Sequence, residues 1–254
     1  MKNIDENNSK IFVNNIEQGF SLYKRAVEAK TPQNKIKLSK KAEDNLCKSV
    51  NIAEKLKLKE KIPLIYEYLT NIQILIAINL YLLKDVKESV IYFKKALESN
   101  EKSDSKDKNE KFALIYTQLA SISKQIQQFD LSIKYMDSAL NYAKNLSENE
   151  YLEYLYEANQ IYILGLDVKK VKNTFSEMLK MVNKSHNLKL TAKIYFDYAR
   201  YLFEVEKKYK EAKNLLEKSK ELFEKVKDEF GIDVVNNFIN SNFDSIGNPI
   251  IKKN

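Results

Sequence analysis

The residues that could carry out chemistry are few, and their spacing does not favour catalysis. The four glycines, Gly19, Gly165, Gly231 and Gly247, are isolated, so the sequence has no glycine-rich phosphate loop. It also lacks the Gly-x-Ser-x-Gly motif of a serine nucleophile and the His-Glu-x-x-His motif of a zinc enzyme. We therefore predict no catalytic residue and no enzymatic activity.

Three titratable residues, Cys47, His186 and Glu67, are candidates for chemistry. Cys47 is the only cysteine and His186 the only histidine, so we expect neither an internal disulfide nor a metal site. Cys47 is predicted to be a buried, inert thiol, and His186 to face water or cap a carbonyl. Glu67 lies in an apolar segment, where we expect a buried carboxylate bonded to a nearby tyrosine. The sequence thus predicts no metal and no cofactor.

The composition is that of a helical protein. A hydrophobic content of 44% is enough for a core, whereas four glycines and three prolines are too few for many tight hairpins. The net charge is +8, but lysines are interspersed with glutamates along the chain, which favours solvated helix faces over a nucleic-acid interface. The start, MKNIDENNSK, has no apolar run. We expect a reduced, cytoplasmic compartment.

The most apolar segment, residues 62–83, raises the question of a membrane span. Four polar residues interrupt it, Glu67, Asn71, Gln73 and Asn79. Such residues are costly in lipid, so the segment predicts a helix buried on several faces of the protein. No membrane insertion is expected.

A spacing pattern recurs in four blocks of 12 residues. They begin at Val86, Phe129, Val168 and Tyr209, which are 43, 39 and 41 residues apart. The fourth, eighth and eleventh positions of a block share one helix face. The outer two are mostly small and the middle one is bulky, so a neighbouring helix can approach closely. The residues at these positions are Ser89, Phe93 and Ala96; Ser132, Met136 and Ala139; Val171, Phe175 and Met178; and Ala212, Leu216 and Ser219.

The residues before each block complete an antiparallel helix pair. Tyr116, Leu119 and Ala120, for example, share one face of the helix that precedes Phe129. Such pairs resemble tetratricopeptide (TPR) repeats over about residues 62–227, and more loosely over 33–61. The period near 40 exceeds the usual 34 and is similar to that of kinesin light chains, bacterial peptide-sensing regulators and soluble attachment proteins of membrane fusion. The resemblance implies an all-α, right-handed α-solenoid of about 10–11 helices.

The domain organisation follows from the extent of the repeats. We predict a single TPR-like solenoid domain over residues 1–240, with weaker capping helices over 1–61 and clearer repeats over 62–228. Residues 241–254 are predicted to form a flexible tail, and residues 100–111 a polar surface loop. The first helix is expected to begin near residue 10, and Pro32 and Pro63 mark later helix starts.

The resemblance also implies a concave groove lined by the first helix of each pair. Its usual contact positions mix apolar, tyrosine and polar residues here, which suits a peptide or a partner helix. The predicted groove residues are Ile74, Ile78, Tyr81, Thr117, Ser121, Lys124, Tyr156, Gln160, Ile163, Phe196, Arg200 and Phe203.

These features favour a non-enzymatic adaptor or regulator that binds a protein or peptide in the groove. Three alternatives stay open: a peptide-sensing regulator of the bacterial TPR type, an attachment protein of the membrane-fusion type, and a nucleic-acid-binding helical repeat with a basic surface. A homodimer is left open too, as is occupation of the groove by the protein's own first helix or tail.

Overall fold

The computed structural model describes residues 2–244 and 247–250, with side chains from residue 6 onward. Over these residues the chain forms eleven α-helices and no β-strand, so the all-α prediction is confirmed. The helices are α1 (Lys2–Glu28), α2 (Pro32–Lys55), α3 (Ile62–Leu82), α4 (Val86–Glu101), α5 (Lys108–Gln125), α6 (Phe129–Ala143), α7 (Glu148–Leu164), α8 (Val168–Met181), α9 (Leu188–Glu204), α10 (Tyr209–Lys225) and α11 (Glu229–Asn242). Short 3₁₀ turns follow α2 at Lys59–Lys61 and α8 at Val182–Lys184.

Consecutive helices pack as pairs: α1 with α2, α3 with α4, α5 with α6, α7 with α8, and α9 with α10. The chain divides into two compact units, residues 1–145 (unit 1) and residues 146–254 (unit 2). Each pair lies within one unit. The assignment of residues 1–240 to a single domain stays a prediction.

In unit 1, small residues of the blocks form hydrogen bonds between the two helices of a pair. The Ser89 hydroxyl donates to the carbonyl of Ala77 at 2.8 Å, and the Ser132 hydroxyl donates to the carbonyl of Ala120 at 2.7 Å. Each bond joins the two helices of one pair, and all four residues are fully buried. A larger side chain would push the helices apart, and an unbonded hydroxyl would lose its solvation. Phe93, at the bulky position, is buried between them.

Capping and proline residues explain where α2 and α3 begin in unit 1. The Thr31 side chain accepts a hydrogen bond from the Asn34 backbone N–H at 3.3 Å, and Pro32 occupies the first turn of α2. Pro63 likewise lies in the first turn of α3. The first helix, however, begins at Lys2, so the expected start near residue 10 is wrong. Its polar start carries no break that would end a helix.

Two predictions for titratable residues in unit 1 are wrong, the burial of Cys47 and the tyrosine partner of Glu67, whereas an inert Cys47 thiol stays a prediction. Cys47 is exposed, because the neighbouring Leu46 and Val50 define the buried face of α2. Glu67 is only half-buried, and its Oε1 atom lies 3.7 Å from Nζ of Lys111. The partner of this carboxylate is thus a lysine from α5 and not a tyrosine.

The loop predicted over residues 100–111 is shorter and less exposed than expected. The turn between α4 and α5 spans residues 102–107, and Ser103 and Ser105 are buried in it. The Ser103 hydroxyl donates to the carbonyl of Asn100, and the Lys111 ammonium donates to Ser105 Oγ at 3.0 Å. Polar side chains therefore form an internal network here.

Unit 2 has its own hydrophobic core, and α11 closes it. Leu202, Leu216 and Val235 from α9, α10 and α11 meet in this core. Close packing of α11 requires Gly231, because a Cβ atom there would lie 2.4 Å from the ring of Phe223.

The segment after α11 turns back on unit 2. Phe243 forms an isolated bridge with Pro249, and the Ile250 N–H donates to the carbonyl of Asn242 at 2.8 Å. The predicted flexible tail, residues 241–254, therefore begins inside α11. Residues 245–246 and 251–254 lie outside the described residues, and flexibility there stays a prediction.

Candidate binding site

The predicted groove residues of unit 1 differ in accessibility. Ile74 is buried in the core, Ile78 is 36% exposed, and Tyr81 packs partly against the core. On α5, Thr117, Ser121 and Lys124 are all half-buried. Two pockets described in unit 1, one between α1 and α2 and one along α1, are lined by other residues.

In unit 2, two predicted groove residues meet at an acidic side chain. The Tyr156 hydroxyl and the Gln160 amide, both on α7, donate to Oδ2 of Asp197 on α9, at 3.0 and 2.8 Å. Their spacing of four residues turns both side chains to the same side of α7. Phe196, a third predicted residue, precedes Asp197. The structure thus brings three predicted residues together around an acid that the sequence pattern did not select.

The environment of Asp197 changes its acidity. Burial raises the pKa of the Asp197 carboxyl, while the hydrogen bonds from Tyr156 and Gln160 and the charges of Arg200 and Lys193 act in the opposite direction. Burial, together with the nearby Asp197 carboxylate, raises the pKa of the Tyr156 hydroxyl. Tyr156 therefore remains a hydrogen-bond donor at neutral pH.

A pocket of about 410 Å³ lies beside this cluster. Residues of α7, α9, α10 and α11 line it, together with the residue that caps α11. Phe230, on the first turn of α11, is 79% exposed and provides an apolar surface. The lining residues are Tyr156, Lys189, Lys193, Phe196, Asp197, Phe223, Asp228, Phe230, Gly231 and Val234.

The charged residues of the pocket are largely paired. Nζ of Lys189 lies 2.7 Å from Oδ2 of Asp228, and the other oxygen of this carboxylate accepts the Gly231 N–H at 3.1 Å. These two donors lower the pKa of Asp228. Lys193 forms no salt bridge with any residue that the structure describes. Its side chain is exposed, and its charge acts on the Asp197 and Asp228 carboxylates.

The other predicted residues of unit 2 have different surroundings. Phe203 packs against Phe238 and Phe243, with ring centroids 5.6 and 5.2 Å away, so α11 and the following segment cover it. Arg200 is exposed and pairs with Glu204 at 3.5 Å. Ile163 is 39% exposed at the end of α7. None of these three lines the pocket, and their part in binding stays a prediction.

Lys193, Asp197, Asp228 and Phe230 were missed by the sequence pattern. The repeat positions select residues by their place on one helix, whereas the pocket depends on which residues of neighbouring helices meet. The sequence offered one signal for Phe230, which is a large apolar residue directly before Gly231 at the start of a helix.

The described residues offer no site for a metal ion, since no group of three or more His, Cys, Asp or Glu side chains is close enough to bind one. Within the same residues, no helix is long and apolar enough to span a membrane.

Comparison with known proteins gives likeness in structure only. Neither the known family models nor the curated proteins match this sequence. Among solved structures, RapI in its apo form aligns over 91% of this chain and 73% of its own, with 15% identity and a TM-score of 0.58. A protein from Podosopora anserina, described as a kinesin light chain with nearly identical TPR-like repeats, aligns over 81% of this chain and 95% of its own, with 16% identity and a TM-score of 0.54. The chain therefore has the fold of the TPR-like helical repeat proteins.

Proposed function

We propose that this chain is a non-enzymatic adaptor or regulator, which binds a peptide segment of a partner protein in the pocket of unit 2. The observation that carries the proposal is the 410 Å³ pocket and its exposed Phe230. Its walls combine aromatic rings with a few polar groups. Such a surface suits a peptide whose apolar side chain needs a pocket and whose backbone needs hydrogen-bond partners.

The polar groups of the pocket support binding more than catalysis. Asp197 is engaged by Tyr156 and Gln160, and Asp228 by Lys189. Among the described residues that line the pocket, there is no serine, cysteine or histidine to act as nucleophile or imidazole base. In this proposal, the Lys193 ammonium binds a carboxylate or a carbonyl of the peptide.

The likeness in fold to RapI and to the Podosopora anserina protein supports the proposal of peptide binding, because stacked helix pairs offer extended binding surfaces. We propose that the protein acts in the cytoplasm, where the exposed thiol of Cys47 would stay reduced. A homodimer stays a prediction.

The test begins with peptides selected on the wild-type protein from a library of random displayed peptides. Their affinity is then measured by fluorescence anisotropy for wild type and for Phe230→Ala. Because Phe230 is mostly exposed, its removal leaves the core intact. We expect about a tenfold loss of affinity, as for other central aromatic contacts, with unchanged helicity.

The matched control is Ile78→Ala, which removes an exposed apolar side chain from α3 of unit 1. It should bind the selected peptides as wild type does. Equal binding by wild type and Phe230→Ala would refute the assignment of the pocket, as would an equal loss in both variants.

A further inference from the structure

Leu166 has an unusual backbone conformation for its residue type. Six non-glycine residues of the described chain have a positive φ, and five of them are the polar residues Lys57, Lys84, Gln127, Lys207 and Lys227. The sixth is Leu166, with φ of 57° in the turn between α7 and α8. This conformation is unfavourable for a residue with a Cβ atom, and glycine or asparagine usually occupies it. The side chain of Leu166 is also 84% exposed. Neither backbone preference nor packing explains a leucine here.

Other apolar side chains are exposed around Leu166. Leu164 is 50% exposed and Val168 58% exposed in the same turn, and Val205 is 54% exposed in the turn between α9 and α10. The two turns lie close together, since an ion pair joins them: Nζ of Lys172 is 3.4 Å from Oε1 of Glu206. We call the two turns, residues 164–172 and 204–211, the turn edge of unit 2. It is an apolar protrusion and not a groove.

Basic residues surround this protrusion. The turn edge contains six lysines and four carboxylates. Three of the carboxylates are engaged: Asp167 accepts the Lys170 N–H at 3.0 Å, Glu204 pairs with Arg200 at 3.5 Å, and Glu206 lies 2.7 Å from Nζ of Lys208. Lys169 and Lys207 are exposed lysines beside the apolar side chains. With six lysines against four carboxylates, the turn edge carries an excess of two positive charges.

We propose that the turn edge of unit 2 docks on an anionic lipid surface, with Leu166 entering the interfacial layer and the lysines contacting lipid headgroups. An apolar protrusion with a basic surround is the arrangement that suits such a surface, because both contributions to binding act together. A second copy of this chain is a poorer occupant, since its lysines would repel those of the first. The contact is peripheral and reversible, because few apolar side chains take part.

The test is co-sedimentation of the full chain with phosphatidylcholine vesicles that contain either no phosphatidylserine or about 30% of it, a strongly anionic surface. We expect binding to the anionic vesicles alone. Leu166→Asn should lower the bound-to-free ratio about tenfold, because it removes the most exposed apolar side chain. Asparagine tolerates a positive φ, so thermal unfolding of this variant should be unchanged or shifted to higher temperature.

Two further variants separate the contributions. Lys169→Glu should weaken binding to the anionic vesicles several-fold, by reversing one charge. Leu64→Asn replaces a leucine that is 51% exposed in the first turn of α3, and it should bind as wild type does. The inference is overturned if wild type ignores anionic vesicles, if it binds neutral ones equally, or if Leu166→Asn binds undiminished. An equal loss in Leu64→Asn would also overturn it.

Discussion

At the scale of single residues, Asp197 links the stability of unit 2 to pH. Burial raises the pKa of this carboxyl above its ordinary value of 3.8, against the effect of the hydrogen bonds from Tyr156 and Gln160. The folded state therefore holds this proton more tightly than the unfolded state does. The contribution of Asp197 to stability is fully present below pH 3.8 and is lost as pH rises through the higher pKa of the folded state.

Asp197→Asn isolates this contribution, because the amide oxygen of asparagine can accept both hydrogen bonds but never ionises. We expect the free energy of unfolding of the variant, relative to wild type, to increase between about pH 4 and about pH 7. Urea denaturation of both proteins at the two pH values measures the difference, and other titrating groups cancel in the comparison. A difference that stays constant or decreases would contradict the assigned pKa direction.

The sequence pattern identified part of the candidate site. Tyr156, Gln160 and Phe196 follow from repeat positions on α7 and α9. Asp197 was not selected, because its partners on α7 are 37 and 41 residues away and no local pattern tells which faces meet. Phe230 was missed since α11 lies beyond the repeats on which the groove positions were defined.

At the scale of helices, the α7–α8 pair departs from the arrangement of the α3–α4 and α5–α6 pairs. Ala77 and Ala120 lie opposite the serines of the next helix, and Asn159 has the equivalent place on α7. Its side chain is fully buried, and neither its oxygen nor its nitrogen has a hydrogen-bond partner in the structure. On α8, Val171 takes the position of those serines, so it offers no hydroxyl. A buried amide without partners is costly.

Asn159→Leu should therefore stabilise the protein. Leucine has a similar branched shape and no polar atom, so the free energy of unfolding should rise by about 1–3 kcal/mol. Asn159→Ala is the control, because it also removes the amide but leaves a cavity that offsets part of the gain. Urea denaturation of the three proteins provides the measurement. If Asn159→Leu unfolds at lower urea than wild type, the amide contributes to stability and our account of this pair fails.

The helices themselves were largely predictable, because caps, prolines and small-residue spacing are local signals. The turn between α4 and α5 was not, since the network of Ser103, Ser105 and Lys111 depends on how neighbouring helix ends meet. For Cys47 a general preference of cysteine for burial was outweighed by its position on α2, where Leu46 takes the buried face. Composition and local pattern thus determine the elements better than the surroundings of one side chain.

At the scale of the whole molecule, the division into two units has an energetic basis. Unit 1 has a core of large buried side chains, including Phe93, Ile72 and Leu119, and unit 2 has a core around Leu202 and Leu216. In helical repeat proteins, stability is close to a sum of contributions from each repeat and its nearest neighbours. A cut between the units preserves every helix pair, whereas a cut inside a pair exposes buried surface.

We therefore expect fragments 1–145 and 146–254 each to fold alone. Both should show helical circular dichroism and a cooperative thermal transition, because each keeps its own core. Fragment 1–127 is the matched control: it removes α6 and with it the bond from Ser132 to Ala120, and it uncovers Leu119 and Ala120. That fragment keeps the α1–α2 and α3–α4 pairs but leaves α5 unpaired, so it should unfold at a lower temperature than 1–145 and show less helix per residue. If 1–127 is as stable as 1–145, or if 146–254 is unfolded, the helix pair is not the unit of stability in this chain.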